Sequence, residues 1–245
     1  MSQIPLMCKS PAEYDAVAIL AQKMGSELLQ RLEVVALKPK KILDIGSGTG
    51  FYLPQLKKKY PDATLIPLDV HFPLLQFARS QKRMTQGICA NTIRLPFKTH
   101  SIDLLIANLV LPWCSLEKTL SEWYRVLKPE GLLIFTSLGP DTLKQIPHIE
   151  PALIDMHQVG DALIQIGFKD PILDVKYMRF SYRDRQKLLF ELQITDMIDG
   201  SLSLSTFEAP FMLTYEVIFG HAWRGAETHS TFKIPVDAIR RLSVS

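Results

Sequence analysis

The sequence predicts an open α/β sheet, mostly parallel and wound on both faces by helices. Three observations carry that class. The first 138 residues alternate apolar runs with amphipathic stretches five times, the pattern of a doubly wound parallel sheet. The first run, Lys41 to Ile45, leads into Gly46-Ser47-Gly48-Thr49-Gly50, glycines spaced by one where a strand turns into a helix. The second, Ala63 to Leu68, ends in Asp69, 25 positions after Asp44.

Taken in order, Ser10-Pro11-Ala12-Glu13 has the form of a capping box with proline at the first helical position. Tyr14, Val17, Ala18, Ala21, Met24, Leu28 and Val35 follow at helical spacing, which predicts one amphipathic helix over 11–36 that covers the sheet. After the glycine turn, Phe51, Leu53 and Leu56 continue a helix, with Pro54 tolerated in its first turn. A helix begins near Pro73, a weaker third strand spans 86–90, and a fourth runs from Ser101 to Ala107. A helix over 116–127, a turn at Lys128-Pro129-Glu130-Gly131 and a strand over 132–138 follow. The remainder reads as a helix from Asp155 to Gly167, a strand over 172–178, a helix from Tyr182 to about Met197 and a last strand over 213–223.

The glycines and acids define a binding corner. Glycine lets the backbone turn with positive φ and lets a ligand approach without a Cβ in the way. Glycines at first, third and fifth positions differ from the dinucleotide spacing, which seats a pyrophosphate on a helix N-terminus. Asp69 at a strand end can accept hydrogen bonds from both hydroxyls of a ribose, and it also suits a helix cap. Asn108 and Leu109 end the fourth strand where ligands bind in open α/β sheets, beside the point at which strand order reverses.

Composition narrows the class. A chain of 245 residues, 47% hydrophobic, can bury a full core, so one α/β domain is expected across 1–245. The net charge of +3, from 28 Lys and Arg against 25 Asp and Glu, is too balanced to argue for nucleic acid on its own, and no nucleic-acid partner is expected. Cys8, Cys89 and Cys114 are widely separated and lack metal spacing, so reduced thiols, no bound metal and a cytoplasmic setting are expected. The most apolar later run, Ile102 to Cys114, is short and interrupted by Asp103, so no membrane association is expected.

The Asp44-to-Gly50 turn resembles motif I of the class I S-adenosylmethionine-dependent methyltransferases. Leu95-Pro96-Phe97, Ser101-Ile102-Asp103 and Arg125-Val126-Leu127-Lys128-Pro129 with Gly131 are further markers of that fold. More specific strings are Asn108 to Cys114, Ser137 to Leu143, Asp155 to Leu163 and Thr214 to Trp223. With them, nearly the whole chain, from Tyr14-Asp15 to Trp223, resembles the malonyl-[acyl-carrier protein] O-methyltransferases of bacterial biotin synthesis.

The resemblance implies a Rossmann-like, seven-stranded, mostly parallel sheet with an antiparallel last hairpin and helices on both faces. It divides the domain into a covering helix (11–36), a cofactor-binding core (41–178), a small helical lid (179–212) and a last strand (213–223). S-adenosylmethionine is the implied cofactor, leaving as S-adenosylhomocysteine. Its implied contacts are Asp44, Gly46, Ser47, Gly48, Gly50, Asp69, Val70, Asn91, Thr92, Asn108 and Leu109, with Asn91 where the family has an acid for the adenine amino group. The implied enzyme esterifies the free carboxylate of a malonyl thioester on acyl-carrier protein. No general base is needed, because a carboxylate is already ionised at neutral pH. Tyr14, His157 and Arg183 are the candidates for holding it, and Lys176, Arg179, Arg183, Arg185 and Lys187 a candidate docking face for the acidic carrier protein. Pro112 stands where the family has Gln, and the lid is abbreviated. Two alternatives stay open: methylation of another small carboxylate or phenol, and a silent cofactor-binding relative acting in assembly.

Overall fold

A computed structural model describes residues 10–146, 149, 151–198 and 210–226. Among these, seven strands form one sheet: β1 (Lys41–Ile45), β2 (Thr64–Asp69), β3 (Ile88–Cys89), β4 (Ile102–Asn108), β5 (Leu127–Leu138), β6 (Phe168–Tyr182) and β7 (Phe211–Arg224). Their spatial order is β3-β2-β1-β4-β5-β7-β6. The first five are parallel, and β7 runs antiparallel to both β5 and β6. The expected mostly parallel sheet with an antiparallel last hairpin is therefore the observed one.

The helices are α1 (Pro11–Val17), α2 (Ile19–Arg31), α3 (Leu53–Lys59), α4 (Phe72–Ser80), α5 (Leu116–Val126), α6 (Met156–Ile166) and α7 (Arg185–Ile194). Strand residues alternate between two cores, as the two-residue period requires. Ile42, Leu104, Ile106 and Ile134 face α2, α3 and α7 through Leu28, Leu56 and Leu188. Leu43, Leu105, Leu133 and Phe135 face α5 and α6 through Trp123, Leu120 and Leu163. Chain order reverses between β1 and β4, so the carboxyl ends of these neighbours open a crevice.

Several elements differ from expectation. The single helix over 11–36 is broken at Ala18 (ψ 53°), and a short 3-10 turn, Leu32–Val34, ends it before 36. Ser10 occupies the N-cap without a side-chain cap bond, so the expected capping box does not form. The break has a local partner: Gln22 Nε2 takes the Asp15 carbonyl at 2.5 Å, satisfying an acceptor that helix continuation would have used. The β6–β7 hairpin is longer at both ends than expected, with thirteen paired positions from Phe168↔Arg224 to Tyr182↔Phe211. Residues 179–182, assigned to the lid, are strand, and the following helix is shortened to α7 by its N-cap Asp184, which accepts from the N–H groups of Gln186 and Lys187. Of the remaining lid expectation, residues 199–209 lie outside the described residues, as does Cys8.

Candidate active site

The glycine turn follows β1 with positive φ at each glycine: 65° at Gly46, 54° at Gly48 and 68° at Gly50. The three are not equivalent. A Cβ at Gly46 would strike Val110 Cγ2 at 2.5 Å, and one at Gly50 would press on Leu53 at 2.9 Å. A Cβ at Gly48 would meet nothing nearer than the Gly46 carbonyl oxygen at 4.0 Å, so this backbone faces open space. Gly46 and Gly50 are required by packing, and Gly48 by conformation and by what enters that space.

Asp69 ties this turn to β2. Its Oδ2 accepts from Gly48 N–H and its Oδ1 from His71 N–H, both at 2.8 Å. Oδ2 keeps a free lone pair for a further donor. The His71 imidazole lies 3.3 Å from the same carboxylate, which holds it above its usual pKa. Asp44, 1% exposed, accepts from the Tyr52 hydroxyl at Oδ1, while its Oδ2 and the Ser47 Oγ are buried without partners. Burial pushes the Asp44 carboxyl up to about 7, against the lowering effect of Tyr52 and with Asp69 adding to the rise.

These groups border a cavity of about 440 Å³ at the sheet's reversal point. Of the expected cofactor contacts, Gly46, Gly48, Asp69, Val70, Asn91, Thr92, Asn108 and Leu109 line it. Asp44, Ser47 and Gly50 stand behind the wall. Three of the lining residues also brace it. Asn91 Oδ1 accepts from Ile93 N–H at 3.0 Å, and Thr92 Oγ1 from Trp123 Nε1 at 2.7 Å. Asn108 joins two elements, donating to the Ala21 carbonyl at 2.8 Å and accepting from Thr136 Oγ1 at 2.8 Å. Leu109 adopts a left-handed φ of 55°, rare for a branched side chain, with its N–H held by Thr136.

The other half of the wall comes from α1, α7 with the residues after it, and Tyr215 of β7. Tyr14 lines the cavity, and burial, reinforced by Asp69, Asp196 and Asp15, pushes its phenol well above the usual range. Its neighbour Asp15 fixes α1 over the glycine turn, taking both terminal nitrogens of Arg83 and the Thr49 hydroxyl. Leu138, Glu191, Thr195, Asp196, Met197 and Tyr215 complete this side.

Two candidates for holding the acceptor fall elsewhere. His157 is 80% exposed in the first turn of α6 and bonded to the N-cap Asp155, because the buried face of that helix is Val159, Ala162 and Leu163 on the opposite sheet face. Arg183 is exposed, just ahead of the α7 N-cap, and does not line the cavity. The sequence reading missed Glu191, which shares a helix face with Leu188 and Leu192. An acid at a core position of that helix was the available signal.

Residues 43–135 match the family model described as "Methyltransferase domain". Several curated relatives are malonyl-[acyl-carrier protein] O-methyltransferases. That of Gallionella capsiferriformans is 35% identical over 87% of this chain and 87% of its own length. That of Coxiella burnetii is 34% identical over 93% of this chain and 91% of its own. Among solved structures, Haemonchus contortus phosphoethanolamine N-methyltransferase 2, bound to S-adenosylhomocysteine, superposes with a TM-score of 0.58 at 17% identity, covering 91% of this chain and 61% of that one. Geranyl diphosphate C-methyltransferase from Streptomyces coelicolor gives 0.55 at 12% identity, covering 84% and 80%.

Fold and site together define a class I S-adenosylmethionine-dependent methyltransferase. The open face at Gly48, the unpartnered Asp44 and Ser47 oxygens and Asp69 at the end of β2 fit that cofactor, which brings two cationic groups and a ribose. Within this class, the chain belongs to the malonyl-[acyl-carrier protein] O-methyltransferase family.

Proposed function

We propose that the protein transfers a methyl group to the free carboxylate of a malonyl thioester carried on acyl-carrier protein, giving the methyl ester used early in biotin synthesis. The observation that carries this reading is one continuous cavity, with glycine turn and ribose-facing acid on one side and a wall from α1, α7 and the last hairpin on the other. Relatives with that activity align over both halves.

S-adenosylmethionine, when bound, supplies an electrophilic methyl group on a sulfonium. Gly46, Gly48, Asp69, Val70, Asn91, Thr92, Asn108 and Leu109 would hold it, with Asp44 and Ser47 behind the turn. The protein's own task is alignment and exclusion of water, since the acceptor carboxylate arrives ionised. α1 performs part of the exclusion: the Asp15–Arg83–Thr49 contacts hold Tyr14 against the cavity. Of the expected lid over 179–212, the part that borders the cavity among the described residues is α7 with Thr195, Asp196 and Met197. A cytoplasmic setting belongs to the same reading, supported by the free thiols of Cys89 and Cys114.

The test incubates purified protein with S-adenosylmethionine and malonyl-acyl-carrier protein and follows the carrier by intact mass. The expected product is heavier by one methylene and sensitive to esterase. Cofactor binding without transfer to the malonyl carrier would overturn the reading, and a panel of free carboxylates and phenols run alongside identifies any other acceptor.

A further inference from the structure

The acceptor half of the cavity poses a physical problem for a carboxylate substrate. Among its described lining residues there is no Lys or Arg, and residues 199–209, which follow α7 in sequence, contain no Lys, Arg or His. His71, the lining imidazole, is tied to Asp69 on the cofactor side. What the acceptor half offers instead is hydroxyls and acids, and the most buried acid is Glu191, at 8% exposure.

Glu191 is built in from behind. Its Oε1 accepts from the Tyr182 hydroxyl at 3.0 Å, and the buried Tyr215 lies in the same polar group, lining the cavity beside it. The Tyr182 hydroxyl thus points its proton at the carboxyl group. Among the described residues, none donates to Oε2. A substrate carboxylate at this wall cannot face a second ionised carboxylate in a dry site, and two such groups are held together by sharing one proton.

We propose that Glu191 is the acceptor-positioning residue of this enzyme, its carboxyl O–H donating from Oε2 to one oxygen of the substrate carboxylate while Tyr182 fixes Oε1. The inference rests on the methylation reading given above. Burial raises the Glu191 carboxyl against the opposing bond from Tyr182, the direction that holding a shared proton requires. The O–H···O⁻ bond is short and charge-assisted, and leaves the second substrate oxygen to attack. In the transfer, a carbon–oxygen bond forms and a carbon–sulfur bond breaks, the electron pair staying on sulfur. The proton stays on Glu191. The ester product is a weaker acceptor than the carboxylate, so the grip relaxes once the methyl group is in place.

Three variants test this: Glu191→Gln, which keeps a neutral donor of the same size, Glu191→Ala, which removes it, and Tyr182→Phe, which frees Oε1. Each is assayed for steady-state methylation of malonyl-acyl-carrier protein and for calorimetric binding of S-adenosylmethionine. The expected result is a KM for the acceptor raised about 10–100-fold in Glu191→Ala, the loss of one hydrogen bond to a charged group. Glu191→Gln retains kcat/KM within a few fold, Tyr182→Phe shifts KM in the same direction by less, and cofactor affinity is unchanged in all three. Glutamine as impaired as alanine, or an alanine variant with unchanged KM, overturns the proposal. Should the alanine variant not fold, the Gln and Tyr182→Phe rows decide. Wild-type protein run alongside reports on the methylation reading separately, since its failure to methylate the carrier sinks both.

Discussion

Asp15 and Arg83, 68 residues apart, form a two-pronged ion pair at 2.6 and 2.9 Å that clamps α1 onto the end of α4 and over the glycine turn. Arg83 also donates to the Thr49 carbonyl at 3.0 Å, and Thr49 Oγ1 donates to Asp15 at 2.6 Å. The cluster thus joins the covering helix directly to the cofactor corner. Arg83→Ala should loosen α1 and weaken S-adenosylmethionine binding roughly 5–30-fold, the worth of about 1–2 kcal/mol for a partly buried charge-assisted pair. Titration calorimetry checks this, and a double-mutant cycle with Asp15→Ala should show strong coupling. Burial alone would raise the Asp15 carboxyl, but the bonds from Arg83 and Thr49 outweigh it and hold its pKa below the usual value. The clamp is therefore fully formed above the ordinary carboxylate range and is lost only as pH falls through that lowered value.

Asp44 behaves in the opposite sense. With its pKa raised to about 7 in the folded protein, the native state binds a proton more tightly than the unfolded chain between about 4 and 7. Without cofactor, stability should fall as pH rises through that window. A cation entering the cavity favours the ionised carboxylate, so S-adenosylmethionine affinity should tighten roughly tenfold from pH 6 to pH 8. Asp44→Asn should remove most of that slope in calorimetric titrations. The residual belongs to His71, which is also raised and repels a cation when protonated. A slope unchanged in Asp44→Asn would refute the assignment.

The glycine turn separates packing from ligand approach. Gly46→Ala drives a methyl group into Val110 at 2.5 Å in addition to imposing a positive φ, so its melting temperature should drop more than that of Gly48→Ala. Gly48→Ala has room and should cost the apo protein only about 1–2 kcal/mol of backbone strain. Its larger effect should appear on the cofactor: thermal unfolding with and without S-adenosylmethionine should show Gly48→Ala losing most of the ligand-induced shift.

The parallel core was legible in the sequence because its strands are short apolar runs, and β1, β2 and β4 lie where those runs fall, whereas the turn expected at Lys128 to Gly131 is strand at the start of β5. The cofactor half of the site was legible for the same reason: it is built from strand ends. What escaped was set by contacts distant in sequence. The break at Ala18 depends on Gln22 and on the Asp15–Arg83 pair, which no helical periodicity over 11–36 reveals. The extension of β6 to Tyr182 comes from pairing with β7, whose register only the fold fixes. His157 and Arg183 drew attention as residue types, yet His157 lies on the outward face of α6 and Arg183 is exposed between β6 and α7, while Glu191, with an unremarkable neighbourhood in sequence, is an acid on the buried face of α7 that lines the cavity.

The expected docking face is thinner than its sequence suggests. Lys176 is bound to Glu27 at 2.7 Å, and Arg31 beside it is bound to Asp174 at 2.7 Å, so this end of β6 is internally neutralised. Arg179, Arg183 and Lys187 are exposed further along, on the approach to α7 and therefore beside the acceptor half of the cavity. An acidic carrier protein with many charges would be steered by these cations far more than malonyl pantetheine, which carries a single carboxylate. Charge reversal at Arg179 or Arg183 should raise the KM for the carrier-bound substrate about fivefold each, near 1 kcal/mol for an exposed pair, with kcat held. The same variants should change the KM for malonyl pantetheine much less than that for the carrier and flatten the salt dependence of the carrier reaction, because the charges removed are those that ionic strength screens. Lys176→Glu should have little effect on either substrate. Equal losses on both substrates would mean that these residues support the lid and do not dock the carrier.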